Sequence, residues 1–495
     1  MTFWLNCDKI LDMSETRAIA WNTGSQAIGK VISTLLGVVG IALMTRYLGQ
    51  VGFGYYSTAN AFFQIFAIML DLGINVMLVQ MLGEHRGDEK YENRAISATM
   101  TFRILTGIAI LGIAPFIGLF FPYAWEVKMA IFALWASFFS ASLNQVVIGV
   151  QQRHMKMHIV AISEVLGRAV LLVGLVIAII FNFGLIPIVL FVSIGSLANL
   201  LLNWWVARRY ASFRWNWDPT FWKQLLKRSW PIGVSILFNL AYFKADTLVL
   251  SLTRSAAEVG IYSAAYRVLE ILVTFPFMLA GVMLPLLAHA WTKKDNSRFT
   301  HLLRQSYNVM LLIAIPMAVG ILAIGTPAMI FIAGPEFAAS GEILKILAIA
   351  TAVIYFGTIS SHVVVAINKQ MSMLPVYIVV AVLTVAGYIL LIPPYGMVAA
   401  AWLTVASETA VAVAATWISL KSAPNGFAWS VSLKSLFASL VMVLAIIPLR
   451  GLWLPIPIMA GVIVYSALVI LTGAVSKETL KEIFAMRGEA TIDVV

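Results

Sequence analysis

Charge and cysteine are what this 495-residue chain has least of. Only 11% of its residues are charged, under half of the roughly 25% usual in a soluble domain. With 61% of residues hydrophobic, a fold of this size has too little polar surface to face water, so soluble, disordered and fibrous classes are excluded. The single cysteine, Cys7, rules out an intramolecular disulfide and a cysteine-based metal centre. The first 18 residues hold Asp8, Lys9, Asp12, Glu15 and Arg17 and lack the apolar core of a signal peptide. Acidic residues are also few, 22 against 33 basic, for a net charge of +11. In a soluble protein that excess would suggest nucleic acid. In a membrane protein its sign is read loop by loop, and no nucleic-acid partner is expected.

What the chain does have is apolar runs, each near the roughly 20 residues that cross a bilayer as a helix. The expected fold is an all-α polytopic membrane protein with about 14 transmembrane helices. Their expected ranges are 19–44, 52–82, 95–121, 127–150, 158–181, 185–207, 230–252, 258–291, 305–332, 341–366, 374–392, 397–420, 431–449 and 453–473. Loops on the N-terminal side of the membrane carry 22 basic residues, against Arg46, Lys128, Arg254 and Arg450 on the other. The positive-inside rule then places both termini in the cytoplasm and favours an even number of spans.

Two stretches recur. Gly54-Tyr55-Tyr56-Ser57-Thr58-Ala59 returns as Gly260-Ile261-Tyr262-Ser263-Ala264-Ala265, and Arg153-His154-Met155-Lys156-Met157 as Lys369-Gln370-Met371-Ser372-Met373. Each pair occupies the same place in a six-span half, so the halves are parallel repeats, an arrangement typical of transporters. The expected organisation is a cytoplasmic N-terminus (1–18), an N-lobe (19–207), an interfacial linker (208–228), a C-lobe (229–420), two further helices (421–473) and a cytoplasmic tail (474–495). In the linker, Asp218-Pro219 reads as a helix N-cap followed by a first-turn proline. Trp215, Trp217, Phe221, Trp222, Leu225 and Leu226, with Lys223, Lys227 and Arg228, suit either an interfacial helix on an anionic leaflet or an aromatic belt beside a span.

Polar residues facing lipid are costly, so polar stripes at helical spacing should face protein or a wet cavity. Span one offers Asn22, Gln26, Lys30 and Ser33; span two Asn60, Gln64, Asp71 and Asn75; span seven Ser235, Asn239, Tyr242 and Asp246; span eight Tyr262, Tyr266, Glu270 and Thr274, with Arg267 beside them. If the repeat holds, these helices enclose a central cleft. Lys30 and Arg267 are candidates for an anionic headgroup, the alternative being structural pairing of Arg267 with Glu270 or Asp246. Lys244 lies roughly 200° around the helix from Asp246, so both cannot face one cleft. Glu164 and Arg168, four apart, are expected to pair with each other. Arg103, Lys345, Glu408 and Lys434 stand isolated, while Arg46 and Arg254 sit at matched ends of spans one and seven as mouth guards or interfacial anchors. The cleft sum is acidic. Asp71, Asp246 and Glu270 are therefore either paired, protonated by burial or holders of a coupling proton or sodium ion. No other cofactor or metal is expected.

The stretch from Asp246 to Arg267, together with Arg46-Tyr47-Leu48-Gly49, Phe53-Gly54-Tyr55-Tyr56-Ser57 and Leu70-Asp71-Leu72-Gly73, resembles the signatures of the Wzx-like flippases. These are the lipid-linked oligosaccharide transporters of the multidrug/oligosaccharidyl-lipid/polysaccharide exporter superfamily. The motifs cover the starts of the two lobes, and span number and repeat extend the likeness over most of the chain. The resemblance implies two six-helix lobes with spans one, two, seven and eight around a cavity. It also implies an undecaprenyl-diphosphate-linked glycan carried across a bacterial inner membrane by alternating access. Membrane lipids, a polysaccharide polymerase and the export machinery are the partners it suggests. In place of the basic residue many members carry after the Asp-Leu-Gly turn, this chain has Gln80. A cation-coupled exporter of drugs or small molecules is the main competitor, favoured by the acidic cleft. An enzyme, a polyprenyl glycosyltransferase or oligosaccharide polymerase, is disfavoured by short outer loops and the lack of a nucleophile or metal constellation, and a structural role or a scramblase without coupling is the third alternative.

Overall fold

The computed structural model describes residues 2–85, 87–423, 425–427 and 429–474, with side chains except those of 2–23, 27, 231–232 and 234–243. Cys7, Asn22, Ser235, Asn239, Tyr242 and the 475–495 tail therefore lie outside the described side chains. The helices are α1 (Thr2–Asp71), α2 (Ile74–Glu84), α3 (Glu89–Leu119), α4 (Trp125–Arg153), α5 (Met157–Ile180), α6 (Leu185–Ala207) and α7 (Pro219–Thr253). They continue as α8 (Ala256–Leu272), α9 (Thr274–Thr292), α10 (Asn296–Ala333), α11 (Ala338–Ala366), α12 (Gln370–Ser422), α13 (Trp429–Ile446) and α14 (Pro455–Leu471). All fourteen expected stretches fall on these helices, and no strand occurs among the described residues. Ten helical segments among the described residues are long and apolar enough to cross a membrane. A glycine with positive φ interrupts two of them, α1 at Gly49 (φ 65°) and α12 at Gly396 (φ 59°). Large side chains such as Phe120, Leu390 and Leu444 remain exposed, as expected where hydrocarbon rather than water is the solvent. The chain is an all-α polytopic membrane protein.

Two compact units are distinguishable, Met1–Ser263 with Tyr388–Gly396, and Ala264–Gly387 with Met397–Val495. The division falls inside α8, later than the 208–228 linker, because α7 packs on α1, α2 and α3 within the first unit. That unit holds two apolar clusters. One joins Ile74, Leu78, Met81, Ile96, Val147, Phe221 and Leu225; the other joins Phe62, Phe63, Leu111, Tyr123, Ile131 and Leu134. In the second unit Tyr307 is buried between α11 and α12, 2.8 Å from the Ser360 hydroxyl and 3.4 Å from that of Ser419. Tyr465 of α14 lies 2.8 Å from the Ser435 hydroxyl of α13 and donates to the Leu312 carbonyl of α10 at 2.7 Å.

The segment between α6 and α7 is fastened to α3 by a polar ladder. Asn93 Oδ1 accepts from the Ser212 amide at 2.8 Å, Ser97 Oγ donates to the Ser212 carbonyl at 2.8 Å and accepts from the Arg214 amide, and Thr101 Oγ1 accepts from the Asn216 amide at 3.0 Å. The spacing explains itself. Four residues of helix advance about 6 Å, and two residues of extended chain about 6.6 Å, so positions 93, 97 and 101 meet alternate residues 212, 214 and 216. Asp218 caps α7 by accepting from the Phe221 amide at 3.0 Å and pairs with Arg94 at 2.6 Å. The Arg94 guanidinium holds the Asp218 carboxyl below the usual carboxylate range. This contribution is present above the ordinary value near 3.9 and is lost as pH falls through the lowered one.

The linker differs from a free surface helix. Phe221 and Leu225 are buried against α2 and α3, and the Trp222 indole donates to the Ala98 carbonyl at 2.9 Å. The apolar face is taken by protein, so this turn continues directly into the 35-residue α7, leaving Trp215, Trp217, Trp230, Lys223 and Lys227 outward. Replacing Ser97 and Thr101 together with Ala removes the three hydrogen bonds they make to this segment, of about 1 kcal/mol each. Trypsin is then expected to cut after Arg214 at least roughly tenfold faster; an unchanged rate would show that the ladder does not hold the segment.

Candidate functional site

The stripe on α1 meets α5. Lys30 Nζ lies 3.0 Å from Glu164 Oε1, and Ser33 Oγ donates to the same oxygen at 2.7 Å. One turn further along both helices, the Arg168 guanidinium carbon lies 3.9 Å from where a Cβ on Gly37 would stand. Positions 30, 33 and 37 share one face of α1, and 164 and 168 one face of α5. Glu164 therefore pairs with Lys30 across the helices, correcting the local Glu164–Arg168 pair. The i,i+4 spacing brings the two onto one face, but the ammonium and hydroxyl of α1 occupy the carboxylate first. Lys30 remains 42% exposed and Glu164 27%, with Arg168 exposed beside them. Two cations around one carboxylate leave a net positive spot within apolar helices, where little solvent screens it.

The second stripe ends in a break. α1 stops at Asp71, Leu72 and Gly73 take positive φ of 39° and 71°, and α2 starts at Ile74. Such a break frees backbone carbonyls that hydrocarbon cannot satisfy. Arg103 of α3, 1% exposed, takes them: it donates to the Leu70 carbonyl at 2.9 Å and to Asp71 Oδ1 at 2.6 Å. Arg103 is thus not isolated, and Asp71 is an ion-pair partner with its side chain 40% exposed. α7 approaches the same break closely, since a Cβ on Gly233 would stand 2.6 Å from the Leu72 carbonyl oxygen. Further along α1, Asn60 and Gln64 are half-buried, while Gln26 and Arg46 are exposed.

Asp246 faces the protein interior. It is fully buried on α7, accepting from the Tyr262 hydroxyl at 2.5 Å, from the Thr247 amide at 2.5 Å and from the Thr247 hydroxyl at 3.1 Å. Tyr262, also fully buried, serves this carboxylate rather than an open surface. Lys244 is half-buried and near enough to act on Asp246 electrostatically. In the second unit Tyr266 is 5% exposed. Arg267 and Glu270 pair at 2.8 Å, which is the structural pairing considered for them. The span there also breaks, between α8 and α9, and the Tyr355 hydroxyl of α11 donates to the Leu272 carbonyl at 2.9 Å. Lys345 pairs with Glu342 at 2.6 Å and Lys434 Nζ donates to the Gly473 carbonyl at 3.3 Å, so neither is isolated. Among the described residues no cluster of three or more His, Cys, Asp or Glu is arranged to hold a metal ion.

The sequence repeat reappears as contacts. A Cβ on Gly54 would stand 1.8 Å from the Ala256 carbonyl oxygen, and one on Gly260 would stand 2.1 Å from that of Gln50. Each glycine thus faces the carbonyl four residues before its counterpart, a local two-fold crossing. At matched ends, the Tyr47 hydroxyl donates to the Phe183 carbonyl at 2.7 Å and Arg254 to the Pro394 carbonyl at 3.0 Å. Different side chains do one job there, holding the turn before the sixth and the twelfth expected spans. Arg254 also lies 3.8 Å from Glu258.

Solved structures share this fold. A lipid II flippase, MurJ, in an inward closed conformation is 16% identical, with a TM-score of 0.77, covering 90% of this chain and 98% of its own. An inward-facing multidrug resistance MATE family transporter of the MOP superfamily is 14% identical, with a TM-score of 0.65 over 82% and 98%. A MOP superfamily transporter from Pyrococcus furiosus is 14% identical, with a TM-score of 0.60 over 83% and 96%. No curated protein matches the chain in sequence. A family profile described as MatE matches residues 231–390. The profile described as polysaccharide biosynthesis protein matches residues 19–291, more than half of the chain. The chain therefore belongs to the polysaccharide biosynthesis protein family.

Proposed function

We propose that this protein moves a polyprenyl-diphosphate-linked oligosaccharide across a bacterial cytoplasmic membrane by alternating access, with both termini in the cytoplasm and without an enzymatic step. The observation that carries this reading is the partly exposed Lys30–Glu164–Arg168 cluster. A diphosphate carries several negative charges and strong acceptor oxygens, and cations inside apolar helices are what lowers its barrier to entering the membrane. Asn60 and Gln64, half-buried on α1, are suited to sugar hydroxyls. Two of the three acids that made the expected cleft acidic are consistent with this role, since Asp71 is held by Arg103 and Glu270 by Arg267. The glycan's polymerase and export machinery are the protein partners this reading calls for.

A cation-coupled exporter of small molecules is the second reading, favoured by the MatE match and by the buried Asp246 as a place for a coupling proton or sodium ion. One experiment separates them. In cells depending on this chain for surface glycan, Lys30→Ala with Arg168→Ala is expected to lower export at least roughly tenfold, from lost contacts of about 1.5–3 kcal/mol each. The lipid-linked glycan should accumulate on the cytoplasmic leaflet while the protein stays in the membrane. Glu164→Gln, which frees Lys30, should be much milder. Equal loss in Glu164→Gln would make the pair structural, and normal export with ion-driven drug efflux would favour the exporter.

A further inference from the structure

A cavity of about 860 Å³ lies in the second unit, between α11 and the second half of α12. Val353 and Phe356 form one wall, and Ala412, Thr416, Trp417 and Lys421 the other. The two helices touch at its floor, where a Cβ on Gly357 would stand 2.8 Å from the Ala412 Cβ. Its size falls within the roughly 300–1,000 Å³ of small-molecule sites. Every lining residue but one is uncharged, and the exception is Lys421 in the last turn of α12. The Lys421 ammonium stands over the exposed Trp417 ring at 5.3 Å.

We propose that this groove holds one acyl chain of an anionic phospholipid, with the lipid's phosphodiester resting on Lys421. The chemistry selects the occupant in two steps. Hydrocarbon walls do not discriminate between a bound chain and the surrounding lipid, because lipid tails are as apolar as the lining. Selectivity must therefore come from the headgroup end, where a tryptophan and a lysine mark the level of the membrane interface. A single lysine matches the single negative charge of a phosphodiester. A polyprenyl diphosphate would leave most of its charge unmatched there. Lys421 also lies on the membrane side that carries most basic loops, where anionic lipid is attracted most strongly.

The test uses the purified full-length chain in detergent and native mass spectrometry with added phosphatidylglycerol or phosphatidylcholine. The parent protein should retain phosphatidylglycerol over phosphatidylcholine. Lys421→Glu should lower that retention about fivefold or more, Lys421→Arg should restore it, and Val413→Trp, which fills the groove from its exposed edge, should reduce retention of both lipids. Equal retention of the two lipids by the parent, unchanged retention in Lys421→Glu, or an inert Val413→Trp would each overturn the proposal. Displacement of phosphatidylglycerol by equimolar undecaprenyl diphosphate would also overturn it, making the occupant a carrier-lipid tail.

Discussion

Gly54→Ala is expected to abolish transport although it adds one methyl group. The new Cβ would stand 1.8 Å from the Ala256 carbonyl oxygen, and no rotamer relieves a clash made by Cβ itself. The neighbour is backbone on a helix, so the crossing must open by more than an ångström or the residue cannot be accommodated. Overpacking of this kind costs roughly 1–3 kcal/mol, enough to remove a conformation that depends on the crossing. Gly260→Ala should behave alike, because its Cβ meets the Gln50 carbonyl at 2.1 Å. Ser57, one turn beyond Gly54 and 3% exposed, gives a second readout. In a Cys7→Ser background, Ser57→Cys should resist a water-soluble maleimide, and adding Gly54→Ala should make it react. Normal transport by the Gly54→Ala variant, with Ser57→Cys still protected, would show that the close crossing has no part in the cycle.

The glycine pair also shows where sequence reading stops. Spans were legible because hydrophobicity over about 20 residues is a local sum, and every expected stretch falls on a helix. The Asp218 cap was legible for the same reason, since its partner is the amide of Phe221 three residues on. The repeat of Gly54 and Gly260 could be seen as a pattern, but that the two glycines oppose each other is a fact about helices 206 residues apart. Glu164 marks the boundary most sharply. Helical spacing assigns it to Arg168, whereas the carboxylate is claimed by Lys30 and Ser33 from a helix more than 130 residues away. Arg103 looked unpartnered because its acceptors are Asp71 and two carbonyls released by a break. A backbone carbonyl leaves no trace in the pattern of side chains. The Asp-Leu-Gly turn itself was visible, and the arginine that completes it was not.

That turn gives the second large effect, and its size depends on which partner is removed. Arg103 is 1% exposed, whereas the Asp71 side chain is 40% exposed. Asp71→Ala leaves a buried guanidinium with carbonyls alone, and breaking a buried pair in this way costs roughly 3–5 kcal/mol. Arg103→Leu leaves a carboxylate that is 40% exposed rather than buried, so its main loss is the donor to the Leu70 carbonyl, about 1–3 kcal/mol. Asp71→Ala should therefore lower the yield and thermal stability of the folded protein more than Arg103→Leu does. The double variant should recover part of the Asp71→Ala loss, because the stranded charge is gone, while the break remains unsatisfied. Thermal aggregation of the three variants in one detergent measures the order. If Arg103→Leu proves the more damaging, the arginine's bonds to the broken backbone outweigh its pairing with Asp71. If the double variant equals the sum of the singles, the two side chains are not coupled at all.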